Sequence, residues 1–499
     1  MTLNLANYSA KLRSDGAHSI LITDLFPGVE KGVSPMMSQK PGLLLPIACI
    51  IILAMTIAAC AHSTTMPHTP TTTAVPQAPC TAATGTQGPI LPASPKLVMI
   101  SSDPFTTGTA EHATEIEPAS FACGQTIVTS FQIGRFKDGG SIALGWATSQ
   151  DGGGSWHHGI FPALTTTTGG IFARISNSSV AYDAAHKVWL VSSLALNGDG
   201  SANNPVNPVG IVVNRSLDDG LTWSQPVIVY RNDTAQPDKG WIRCDNFPTS
   251  PYFGHCYTAW HDQYMQMSTS DDGGLTWSAN QETADKAQGV SSIPLIEPNG
   301  LVVVPFTQYL LSTSPSPDLR IEVSAFTSSS GGKTWGKATR ITNQSRQTSG
   351  QIIEADENQT GQLAVVWRGP YNYIATSPDG LTWSAPMPIT MLNVSSFVMA
   401  VGIDPMTNGN KAHLVILAQQ NDMLTIKMVA ITSEDTGKTW SQPVTLASMD
   451  RSWLVESHTL FGDYVTISFV NGHAVPIFPV GIPPQAGRLN EAIYTLALS

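Results

Sequence analysis

SLDDGLTWSQP, residues 216–226, returns five more times in variant form along this 499-residue chain. Close copies are SDDGGLTWS (270–278), SPDGLTWSAP (377–386) and SEDTGKTWSQP (433–443), and looser ones are SQDGGGSW (149–156) and SSSGGKTW (328–335). Every residue type in the phrase suits a tight turn. Gly permits positive φ, Asp and Ser bond nearby backbone groups, and Trp packs beneath the turn. The copies are degenerate: Ser330 stands where the others carry Asp, and the fifth is one residue short. A turn absorbs such changes and a catalytic carboxylate does not. We therefore read Asp151, Trp156, Asp218, Trp223, Asp272, Trp277, Trp335, Asp379, Trp383, Asp435 and Trp440 as structural.

The closing tryptophans are 67, 54, 58, 48 and 57 residues apart, a mean of about 57. That period, with short strands between, is the sequence pattern of a propeller blade. Residues 239–278 show the layout: KGWIRCDN, HCYTAWH and YMQMSTS as strands, then the phrase, then a short fourth strand. Residues 349–389 repeat it. Composition agrees with an all-β chain, since charged residues are only 12% and Gly and Pro number 42 and 35. The segment after Trp440 supplies three more strands and no phrase, while the apolar run KLVMISS (96–102) lacks a partner. A last blade closed by that N-terminal strand removes an open sheet edge. Seven blades over 94–499 are favoured, with six the alternative.

The phrase fits S-x-D-x-G-x-T-W and resembles the Asp box (BNR repeat) of the sialidase superfamily. The resemblance covers most of 94–499 and implies boxes on the outer rim, away from the centre. It would also imply three arginines on a substrate carboxylate, a tyrosine nucleophile aided by a glutamate, and an aspartate as acid/base. The arginine motif expected before the first box is absent from EIEPASFACGQTIVTSFQIGRFKDGG (115–140), where Arg135 is followed by Phe136-Lys137. A closer resemblance, carried by KGWIRCDNFPTSPYFGHCYTAWHD (239–262) and FGDY (461–464), is to exported bacterial sialidase-like lipoproteins of unassigned function.

The start of the chain is different. LLLPIACIIILAMTIAA (43–59) is apolar and ends at Cys60 in IAAC, which resembles a bacterial lipobox. Residues 1–59 are expected to be an upstream extension, through residue 35, followed by a lipoprotein signal peptide. Cys60 is the expected lipidation site, and 60–93, rich in Thr and Pro, the tether. An uncleaved signal anchor is the alternative. The expected location is extracytoplasmic, lipid-anchored to the bacterial cell membrane. Cys244 and Cys256 flank a Pro/Ser/Gly turn between two strands and are expected to pair, and Cys80 with Cys123 follows by elimination.

From Cys60 onward, acidic residues exceed basic ones by 12, which argues against a nucleic-acid partner. No cofactor or metal motif is found: Asp218-Asp219-Gly220 and Asp271-Asp272-Gly273 lack calcium-loop spacing. In a propeller the first strands of the blades converge. They would gather Glu117, Arg243, Asp245, Asn246, Glu354, Glu456, His458, Asp463 and Tyr464. Asp463, Tyr464 and Glu354 are the candidate catalytic groups, and Arg243, Asp245, Asn246 and Arg368 the candidate ligand-binding ones. A hydrogen-bonded structural network is the competing reading of the same residues. Three functions stay open: binding of a glycan or other envelope polymer, hydrolysis by a rearranged sialidase-type site, and scaffolding of envelope proteins. The sequence does not set the oligomeric state.

Overall fold

The computed structural model describes Cys80 and residues 90–92 and 95–497, except 313–317, 342–352, 393–397, 408, 423, 455–461 and 486–487. The apolar run before Cys60, Cys60 itself and nearly all of the tether lie outside the described residues. Among those described, no helix is long and apolar enough to cross a membrane.

The described chain is all-β apart from three short 3-10 turns. The described strands form five sheets, taken here along the chain as seven mainly antiparallel runs, or units, of which the first, second and seventh join in one 12-stranded sheet. The first comprises Glu111–Cys123, Thr126–Arg135, Ser141–Ser149 and His157–Ile160, and the second Arg174–Asp183, Val188–Asn197, Asn207–Ser216 and Val227–Arg231. The third, Asp238–Cys244, Cys256–His261, Met265–Ser270 and Gln281–Glu282, follows the layout expected from its sequence. In the fourth, the first strand is split into Gly289–Val290 and Leu295–Ile296, both paired with Val302–Ser312, before Asp318–Ser328 and Thr339–Arg340. The fifth is Ile353–Glu357, Leu363–Arg368, Asn372–Ser377 and Met387–Pro388, and the sixth Met399–Ile403, Leu414–Asn421, Thr425–Ser433 and Val444–Asp450.

The seventh unit has three C-terminal strands, Thr466–Val470, His473–Gly481 and Glu491–Leu496, and a fourth from the other end of the chain. Leu97–Met99 pairs antiparallel with the last strand, Leu97 opposite Leu496. The apolar run that lacked a partner in the sequence thus pairs with the last strand of the chain. First strands of successive units lie side by side, from Glu111–Cys123 through Ile353–Glu357 to Thr466–Val470, which lies against Glu111–Cys123 again. Ser120 Oγ joins that last contact at 2.7 Å from Ser468 Oγ and 3.0 Å from Thr466 Oγ1. The apolar core sits between neighbouring units. Val128, Leu144, Phe161, Trp189, Val191 and Trp223, for example, interlock the first with the second.

All six phrases are turns between the third and fourth strands. In the second, Gly220 N donates to Ser216 Oγ (2.9 Å), Thr222 N to Asp218 Oδ1 (2.9 Å), and Trp223 Nε1 to Gly220 O (3.1 Å). Gly220 holds φ +80°, as the turn requires. Trp223 lies 4.8 Å from the Phe161 ring. The fourth copy keeps the pattern with a hydroxyl: Thr334 N donates to Ser330 Oγ at 2.9 Å. Asp151 shows how far the carboxylate is committed to its turn. The Ser155 hydroxyl and amide hold its pKa down at about 2. Both disulfides form, Cys244 with Cys256 and Cys80 with Cys123. Cys244 and Cys256 are directly opposed in the strand register.

Candidate functional site

The first strands enclose a cavity of about 390 Å³. Its walls come from the first strands of six units, and Pro298 is the contribution of the fourth. Phe121, Trp241, Phe247 and Phe469 supply aromatic surface, and Ser120, Thr466 and Ser468 supply hydroxyls. Its charged residues are Arg243, Glu354, Asp356 and Glu357. Cys80 is at one rim, where Gln359 Nε2 donates to Cys80 O (3.2 Å).

Arg243 is buried near the end of its strand. Its guanidinium pairs with Asp356 (3.3 Å) and Glu357 (3.3 Å) and stands 5.3 Å over the Phe121 ring. Asp356 Oδ2 also accepts from Ile403 N (2.9 Å), and Glu357 Oε2 from Ile296 N (2.8 Å). Burial raises the pKa of both carboxyls although Arg243 opposes it, and Glu357 is pushed up to about 7. Burial likewise holds Glu354 well above the usual carboxylate range.

A second, ionic layer sits at the opposite end of these strands. Lys239 Nζ bonds Asp463, whose backbone N–H donates to Glu117 Oε1 (3.0 Å). Gln132 Nε2 bonds Glu117, and Arg135 Nη1 reaches Gln132 Oε1 at 2.7 Å. Burial works against the Lys239 charge, but Asp463, Glu117 and Asp238 outweigh it and keep the ammonium protonated. The backbone here is unusual. Glu117, Asn177, Lys239 and Ser291 occupy equivalent places in the first four units, and all have φ between +40° and +58°. Three of them fall at register shifts, between Ile116 and Ala119, Ser176 and Ser179, and Asp238 and Trp241. Such bulges re-aim side chains, and left-handed non-glycine residues concentrate at functional sites. Gly462, at φ +79°, is the counterpart beside Asp463, and a Cβ there would fall 2.0 Å from Glu117 Cγ.

The residues expected at the centre therefore separate. Arg243 and Glu354 line the cavity. Asn246 touches its wall, but its amide is taken up by the second unit, donating to Tyr182 O (2.8 Å) and accepting from Ala184 N (2.8 Å). Asp245 is fully buried and builds the turn before Cys256, accepting from Phe247 N (3.0 Å) and from the Ser250 hydroxyl. Tyr464 is buried against Trp241, with ring centroids 5.0 Å apart, and its hydroxyl donates to Ser178 O at 3.3 Å. Asp463 belongs to the ionic layer, and neither it nor Tyr464 lines the cavity. Arg368 ends the second strand of the fifth unit and does not line the cavity either. Glu456 and His458 lie outside the described residues.

Sequence reading missed Lys239, Asp356 and Glu357. Asp356 and Glu357 were visible only as consecutive acids in EADEN, and the pairing with Arg243 spans 113 residues. No group of three or more His, Cys, Asp or Glu is placed to hold a metal ion among the described residues.

The turns and sheets define an all-β chain built on a repeated turn. Residues 252–458 match the family described as BNR repeat-like domain. No curated protein matches the sequence. Among solved structures, a Dyadobacter fermentans protein of unknown function is similar at 15% identity, over 80% of this chain and 96% of that one, with a TM-score of 0.47. A Hadza microbial sialidase is similar at 12% identity over 78% and 66% of the two chains (TM-score 0.42). An alpha-L-arabinanase from Penicillium chrysogenum is similar at 14% over 65% and 94% (TM-score 0.44).

Proposed function

We propose that this is an exported, lipid-anchored protein whose seven units are the blades of a propeller, and that it binds a glycan in the central cavity. The cavity carries the reading. It lies where separate units meet, has the size of a small-ligand site, and combines aromatic faces with hydroxyl and carboxyl groups, the pairing that sugars require. The first strands running side by side and back to the first unit support seven blades over 94–499. Two disulfides favour an oxidising, extracytoplasmic compartment. The lipid on Cys60 and the tether over 60–93 rest on the sequence.

Binding is preferred to hydrolysis because the tyrosine that would attack is spoken for. The Tyr464 hydroxyl is buried and bonded to a backbone carbonyl, and burial drives its pKa far above the phenolic range. A glycan array probed with the purified protein, alongside a Gln359→Trp variant, tests the reading. Gln359 is exposed at the cavity rim, so the indole obstructs entry without entering the core. Glycan signals should be lost in the variant. Signals that persist unchanged would place binding elsewhere.

A further inference from the structure

The cavity is short of positive charge. Among the described residues that line it, Arg243 is the one cation, and it already pairs with Asp356 and Glu357. Glu354 lies two residues before Asp356 on the same strand, so both side chains project from one face. Its carboxyl makes no hydrogen bond with any described residue, although Asp356 and Glu357 each accept a backbone N–H. Lys239, whose charge also acts on Glu354, is bonded to Asp463 and flanked by Glu117. Together the cavity and the ionic layer hold five acids, Glu117, Glu354, Asp356, Glu357 and Asp463, around three cations, Arg135, Lys239 and Arg243. Burial raises the pKa of four of these acids, Glu117, Glu354, Asp356 and Glu357, against the cations already near them, and a further bound cation would favour their charged forms. A bare metal ion does not suit the site: about 390 Å³ is far larger than an ion, and the described acids make no metal cluster. An anionic sugar does not suit it either, because the arginine has no free charge to offer and the walls repel carboxylate or sulfate.

Building on the reading of this cavity as a glycan site, we propose that it selects an amino sugar, with the protonated amine held between Glu354 and Asp356. The aromatic side chains of Phe121, Trp241 and Phe469 offer the pyranose ring its apolar contact. The hydroxyls of Ser120, Thr466 and Ser468 face the same space and suit the sugar hydroxyls. An ammonium between two half-buried carboxylates makes charge-assisted hydrogen bonds, which are about twice as strong as neutral ones.

Calorimetric titration of the purified protein at pH 6 with four probes tests this: the glucosamine tetramer, its fully N-acetylated counterpart, 3′-sialyllactose and tetralysine. The glucosamine tetramer should bind roughly 10-fold or more tighter than the N-acetylated one. Sialyllactose should not bind. Glu354→Gln should shrink the preference for the free amine, read as the ratio of the two tetramers' affinities for the variant against the parent. The substitution removes an ionisable group from a buried site, so it should fold. Asp356→Asn provides a second variant, with its melting temperature measured in parallel. Equal or tighter binding of the N-acetylated or sialylated probe would overturn amine selection and leave the glycan site standing. A preference for tetralysine would overturn the sugar assignment. If none of the saccharides binds, both the selection and the glycan site fall.

Discussion

Glu115 offers a quantitative test of how the ends of the chain are joined. It lies in the first strand of the first unit, and Ser101 Oγ donates to its carboxyl. Ser101 lies two residues after the strand Leu97–Met99, and its Oγ also accepts from Ile493 N at 2.8 Å in the last strand. Burial lifts the Glu115 pKa from an ordinary 4.5 to about 8, with the Ser101 hydroxyl only partly offsetting it. The folded state therefore holds a proton that the unfolded chain releases near pH 4.5. Its contribution is fully present below that pH, declines as pH rises, and is lost by about pH 8. The difference between 4.5 and about 8 corresponds to roughly 5 kcal/mol as an upper figure. Urea unfolding at pH 5 and pH 8.5 measures it. The parent protein should lose several kcal/mol more stability between those conditions than Glu115→Gln, whose amide cannot ionise. Ser101→Ala should weaken the fold at both pH values. A stability difference between parent and Glu115→Gln that is the same at both pH values would refute the reasoning, because the carboxyl would then not titrate in the fold.

Trp223→Ala should destabilise the domain by about 3–5 kcal/mol, because it removes a buried indole packed on Phe161. Leu217→Ala in the same phrase should leave the melting temperature unchanged, since Leu217 is exposed. Gly462→Ala should cost a few kcal/mol by driving a methyl against Glu117 and straining φ, visible as a lowered urea midpoint. Cys60→Ser should release the protein from the membrane fraction. Retention at full precursor mass would favour an uncleaved signal anchor.

Features held within a short stretch of chain were legible in the sequence. Each phrase sets its turn by hydrogen bonds spanning about seven residues, so composition and order declare it wherever it occurs. Its period marks the repetition of strand groups, and the unpartnered run at 96–102 announces a strand that pairs with the other end of the chain. Cys244 and Cys256 were readable for the same reason, as one hairpin places them opposite each other.

The centre was decided by tertiary structure. Asp245 and Asn246 look like channel groups because they follow Arg243, yet local and inter-unit backbone bonds consume them. Tyr464 follows Asp463, but the two side chains have opposite fates: one is buried against Trp241 and the other is bonded to Lys239. Lys239 reaches Asp463 only because a bulge with a left-handed residue turns it inward, and a bulge breaks the alternation on which a face assignment depends. The partners of Arg243 come from another unit 113 residues later. The sequence by itself determined a repeating all-β architecture, because repeated turns are local physics. Which acids surround which cation is set by how the first strands meet, where residues far apart in sequence share one low-dielectric space.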